Sequence, residues 1–163
     1  MTTTEHAAEI RATLKREHGW TPRQVSIRAQ YFSLGSSIDV TVKDPAISLP
    51  VVKVIAEQAE VIHRDGFGEI LGGANRYVSV RYSHEALTII GRRYADAVQR
   101  AVQSVTSGSN SLAPVEGTPF YVGRPDDYRI TLWEDSFLTQ GSTVDQIAES
   151  IGTLLVAREP PHA

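Results

Sequence analysis

Cysteine is absent from the 163-residue chain. That excludes disulfides, a thiolate nucleophile and every zinc-finger pattern, and it leaves His, Asp and Glu as the side chains available to a metal. Lysine occurs only at positions 15, 43 and 53, so arginine carries most of the positive charge. Long apolar runs are also missing. The longest are far too short to span a bilayer, and the opening MTTTEHAAEIRATLKREHG is polar and amphipathic, without the hydrophobic core of a signal peptide. A soluble, cytoplasmic protein with no membrane partner is expected. Nucleotide fingerprints are lacking too: no GxGxxG or GxxxxGK occurs, and the glycine-rich stretch RDGFGEILGGAN follows a predicted helix instead of opening one. His84-Glu85 has no HExxH partner because position 88 is threonine. No cofactor and no metal site are expected.

What remains is an ordinary globular composition, 41% hydrophobic and 21% charged, in a chain long enough to bury about 70% of its unfolded surface. A net charge of −3 and a pI near 5.9 argue against strong nonspecific binding to nucleic acid.

The clearest pattern is VSIRAQYFSLGSSIDVTV, Val25 to Val42. Val25, Ile27, Ala29 and Tyr31 alternate with polar residues, and after FSLG the alternation resumes with Ile38, Val40 and Val42. Apolar positions are odd in one arm and even in the other, so a hairpin must pair residues whose numbers have an odd sum. A sum of 67 sets Ala29 against Ile38, Ile27 against Val40 and Val25 against Val42, with Arg28 opposite Asp39 and Gln30 opposite Ser37. In that register Arg28 and Asp39 read as a cross-strand ion pair on a polar face.

Before the hairpin, Thr2 with Glu5, or Thr4 alone, can cap a helix through about His18 that Gly19 ends before Trp20, with Ala7, Ile10 and Leu14 inward. After it, Ser48 can cap a second helix running to about His63 on Val52, Ile55, Ala59 and Ile62. A third strand over Tyr77–Tyr82 leads to Ser83, which caps one long helix to about Val105. The segment SGSNSLAPVEGTP reads as a loop or linker. Phe120–Val122 and Tyr128–Trp133 then flank a second hairpin, and Ser142 with Asp145 boxes a last helix ended by Pro160 and Pro161. A gapless overlay of Tyr31-Phe32 on Tyr121-Val122 hints at two related hairpin units. The expected fold is α+β, a mainly antiparallel sheet of about five strands with helices packed on one side, in the order αββαβαββα. It is read as one domain over 1–163, or as a unit 1–106 followed by a hairpin and helix over 119–158.

Helix, SIRAQYFSLGSSIDVTV with Gly35-Ser36-Ser37-Ile38-Asp39 at its centre, a helix, DGFGEI and the strand YVSVRY together resemble a large polyvalent protein-associated domain, of the kind found in phage and plasmid polyvalent proteins. The resemblance covers Ala7 to Tyr82. It implies an accessory protein of a mobile genetic element and brings no catalytic residues with it.

Candidate binding residues are Arg28, Gln30, Ser37 and Asp39 on the hairpin's polar face, with Ser36 beside them and Asp65 in the glycine-rich loop. A rigid sheet next to such a loop suits a protein partner, with nucleic acid second. If the two hairpins lie side by side, their tips Phe32, Leu34, Val122 and Arg124 would add a partly apolar surface. The competing reading is a small hydrolase or transferase using Asp39, His63 and Asp65 as acid-base or hard-metal ligands. Catalysis needs a converging site, and this parts list is thin. A non-enzymatic binding protein is therefore expected. With its acidic balance the protein should not bind random duplex DNA measurably at physiological salt, and a gel shift with the steep salt dependence of phosphate contacts would contradict that.

Overall fold

Helix α1 (Thr3–His18) starts and stops on local chemistry. The Thr2 hydroxyl accepts the Glu5 N–H while the Glu5 carboxylate accepts the Thr2 N–H, which satisfies two orphan donors at once. Accepting that N–H holds the Glu5 carboxyl below the usual glutamate range. At the other end Gly19 lies in the left-handed region at φ 71°, and Trp20 folds back to stack on His18 with ring centroids 4.2 Å apart. Ala7, Ile10 and Leu14 are buried, as their spacing predicts.

The computed structural model describes residues 1–158, which fall into two units, Met1–Ala86 together with Arg158, and Leu87–Ala157. In the first unit β1 (Val25–Phe32) and β2 (Gly35–Val42) form the antiparallel hairpin in the expected register, with Arg28 opposite Asp39 and Val25 opposite Val42. Strand β3 (Asn75–Tyr82) joins the other edge of β2 in parallel, so β2 is central. Its Ile38, Val40 and Val42 are fully buried, and Val25 and Ile27 of β1 share that face. Helix α2 (Leu49–Ala56) makes the crossover that a parallel pair requires. It packs on β3 and on α1, and α1 packs on β1 and β2.

Two expectations about α2 are corrected. Ser48 precedes it, but its hydroxyl makes no cap bond and is buried without a hydrogen-bond partner among the described residues. The helix also stops early, passing through a single 3₁₀ turn at Glu57–Ala59 instead of continuing to His63. Tertiary pairing overrides the helical period there: Val61 exchanges both backbone bonds with Arg76, whose guanidinium donates to the Ala59 carbonyl.

The expected single long helix after Ser83 is two helices, α3 (His84–Arg92) and α4 (Ala95–Ser104). Ser83 caps the first through the Ala86 N–H. At the break Arg93 and Tyr94 bond three residues back instead of four, just after Gly91, a poor helix former. Within the second unit four antiparallel strands follow in chain order, β4 (Leu112–Pro114), β5 (Tyr121–Gly123), β6 (Ile130–Trp133) and β7 (Phe137–Gly141). Helix α5 (Val144–Ala157) packs with α4 and against the sheet, over a core that includes Val98, Phe120, Val122, Leu132, Ile147 and Ile151. Its cap is Thr143, whose hydroxyl accepts the Gln146 N–H, one residue beyond the expected Ser142–Asp145 box. The α+β, mostly antiparallel class is as expected. Among the described residues seven strands in two sheets replace about five in one, because β4 lies in the segment read as a linker and β7 buries no side chain that would give it an apolar alternation. The expected stop at Pro160 and Pro161 lies outside the described residues. No helix among the described residues is long and apolar enough to cross a membrane.

Gly35 opens β2 at φ 154°, and a Cβ there would lie 2.4 Å from the Asn75 carbonyl oxygen, whereas one at Gly19 would meet nothing within 4 Å. Gly35→Ala should therefore cost about 2–3 kcal/mol and Gly19→Ala about 1 kcal/mol. Urea unfolding checks this, and equal costs would contradict the close approach.

Candidate interaction site

Alternation along the three strands of the first unit separates two faces. Val25, Ile27, Ile38, Val40, Val42 and Tyr82 turn toward α1 and α2, so Arg28, Gln30, Ser37 and Asp39 lie on the opposite, open face. Strand β3 adds Tyr77, Ser79 and Arg81 to the same face, in rows set by the ladder: Gln30–Ser37–Tyr77 and Arg28–Asp39–Ser79. The structure thus brings four of the expected residues together. The cross-strand ion pair is not among their contacts. Asp39 instead accepts the Ser79 hydroxyl at 2.9 Å, and Arg28 is exposed with no carboxylate in ion-pair range among the described residues. The competing partner came from β3, whose parallel docking the hairpin alone cannot reveal.

Ser36 is corrected. It points to the other face, 7% exposed, where its hydroxyl lies 2.6 Å from that of Thr3 on α1. Next to it the Tyr31 hydroxyl bonds the Thr4 side chain and N–H, which holds the phenol below its usual range. Ser36 and Tyr31 attach the start of α1 to the hairpin and take no part in the open face.

Asp65 is also accounted for locally. One carboxylate oxygen accepts the N–H groups of Phe67 and Glu69, both at 2.9 Å, and its own N–H bonds the Glu69 carbonyl. It is the keystone of a turn. His63 donates its backbone N–H to the Asn75 side chain, at the start of β3, whereas Asp39 pairs with Ser79 four residues further along that strand, roughly 13 Å away at strand rise. Asp39, His63 and Asp65 therefore do not converge, and the acid-base or metal arrangement they would need is not formed.

The glycine-rich segment is ordered by Asn75, which is 2% exposed. Its Oδ1 accepts from His63 N, and its Nδ2 donates to the Leu71 carbonyl at 2.6 Å and to the Tyr77 hydroxyl at 3.3 Å, while Leu71 N bonds back to the His63 carbonyl. The bridge between Arg64 and Ile70 and the Asp65 turn complete a small finger. It presents apolar side chains to solvent. Phe67 is 97% exposed, Ile70 and Leu71 about half, and Gly72 lies against Leu34 of the hairpin tip, itself 61% exposed. Phe32 stacks on Tyr77 at 6.3 Å where the finger meets the open face. Sequence reasoning placed Phe32 and Leu34 here and missed Phe67, Ile70 and Leu71. Apolar residues inside a glycine-rich run were the available signal. Val122, expected at an exposed hairpin tip, is instead fully buried in the core of the second unit.

No protein-family model matches the chain, and neither a curated protein nor a solved structure matches it.

Replacing Asn75 by Ala should cost about 1–3 kcal/mol by orphaning its buried partners, and should speed amide exchange at His63. Asn75→Asp keeps an acceptor for that N–H and should restore protection at His63 without restoring the bond to the Leu71 carbonyl. Unchanged exchange at His63 in the alanine variant would refute the clamp.

Proposed function

We propose that the chain is a non-enzymatic binding protein that captures a protein partner through the finger, the hairpin tip and the adjoining open face of its first unit. One observation carries this reading: Phe67, Ile70 and Leu71 are exposed on a loop that hydrogen bonds of Asp65 and Asn75 hold in place, and Leu34 is exposed at the hairpin tip beside it. Exposed apolar side chains in a cluster mark interaction surfaces, and a loop already held in place gives up little entropy on binding. Arg28, Gln30, Ser37 and Asp39 supply the polar rim that such a surface needs. The resemblance to large polyvalent protein-associated domains supports a role as an accessory protein of a phage or plasmid.

The double substitution Leu34→Ser with Phe67→Ser tests it. Both side chains are solvent-facing, so the unfolding free energy should change by no more than about 0.5 kcal/mol per site. Cross-linking in cells followed by mass spectrometry should recover a partner with the native protein and lose it with the variant. Full capture by the folded variant would refute the reading.

A further inference from the structure

The open face carries more positive than negative charge, although the chain as a whole has a net charge of −3. Arg28 on β1 and Arg81 on β3 are both exposed, and Lys43 continues the face beyond β2, its N–H extending the ladder to the Gln24 carbonyl. None of the three has a carboxylate in ion-pair range among the described residues. From the ladder spacing, Lys43 and Arg81 stand about 8 Å apart, the screening length at physiological salt, and Arg28 and Arg81 about 12 Å, beyond it. Lys43 and Arg81 act together on an incoming charge, and Arg28 joins them as salt is lowered. The anion between them, Asp39, already accepts the Ser79 hydroxyl.

We propose that the part of the partner lying across this face is an extended acidic segment of polypeptide, an inference that rests on the interaction reading above. Charge complementarity selects an anion. The mixture of groups selects a polypeptide over a nucleic-acid strand. Only one carboxylate oxygen of Asp39 takes the Ser79 hydroxyl; the other can accept a peptide N–H but meets only repulsion from a phosphodiester, whose charged oxygens are acceptors alone. Cations placed around one acceptor match a chain that offers both carboxylates and amide donors.

The probe is a fluorescein-labelled peptide of alternating Glu and Gly, titrated with the full-length protein by fluorescence anisotropy at low and at moderate salt. The same peptide with Lys for Glu and an oligothymidylate of equal charge serve as the other arms. Saturable binding of the Glu peptide is expected, weakening as salt is raised, with the Lys peptide inert. Arg28→Glu with Arg81→Glu should weaken binding about tenfold, while Arg28→Lys with Arg81→Lys, which keeps the charge, should stay near native. Failure of the Glu peptide to bind, or equal binding by the charge-reversed variant, overturns the proposal. Tighter binding of the oligothymidylate overturns it in favour of nucleic acid. If capture of the cellular partner still depends on Leu34 and Phe67 while the charge reversal has no effect, the acidic partner falls and the interaction reading stands. Should capture survive loss of Leu34 and Phe67, the interaction reading falls whatever the peptide does.

Discussion

The contact between Gly35 and Asn75 is the constraint on which the first unit turns. With no side chain at 35, β3 can start hard against β2, and only then does the Asn75 amide reach the main chain of His63 and Leu71. One buried polar side chain thus fixes three things together: where β3 begins, the position of the finger relative to the hairpin tip, and the placing of Tyr77 beneath Phe32. Buried amides of this kind are stable only when their bonds are made, which ties the shape of the exposed surface to the integrity of the sheet below it.

Much of the first unit was legible because its signals are local. The α1 caps involve residues three or four apart, and the hairpin register follows from parity alone, since a slip of one residue would turn Ile38, Val40 and Val42 to solvent. Less local features escaped. The end of α2 is set by Arg76, seventeen residues beyond Ala59, and nothing near Ala59 announces it. Strand β4 has one inward residue, Ala113, too few to show alternation. The break between α3 and α4 is hidden because the apolar stripe continues through it in period. As for the site, four open-face residues could be read from alternation, but Asn75 could not: an asparagine after a glycine run looks like one more turn residue until the strand beneath it is known.

The division of labour on the two sides of the sheet follows from the same alternation. Every second residue of β2 is consumed by the core, and the intervening ones are short polar side chains, Ser37, Asp39 and Thr41. Arg28 and Arg81 flank that polar floor from the two edge strands. A sheet face of this kind offers an extended segment more contacts than a compact ligand, which suits the partner inferred for it.

The parallel pairing of β2 with β3 also orders events in time. The hairpin closes across Ser33 and Leu34, a loop whose closure costs little, whereas β3 cannot dock until the whole stretch from Lys43 to Ala74, with α2 inside it, has been traversed. The finger depends on Asn75 and so must be among the last parts of this unit to take shape. Any partner that needs Phe67 and Leu71 in position reads out completed folding, and a nascent or partly unfolded chain with only its hairpin formed would pass unrecognised.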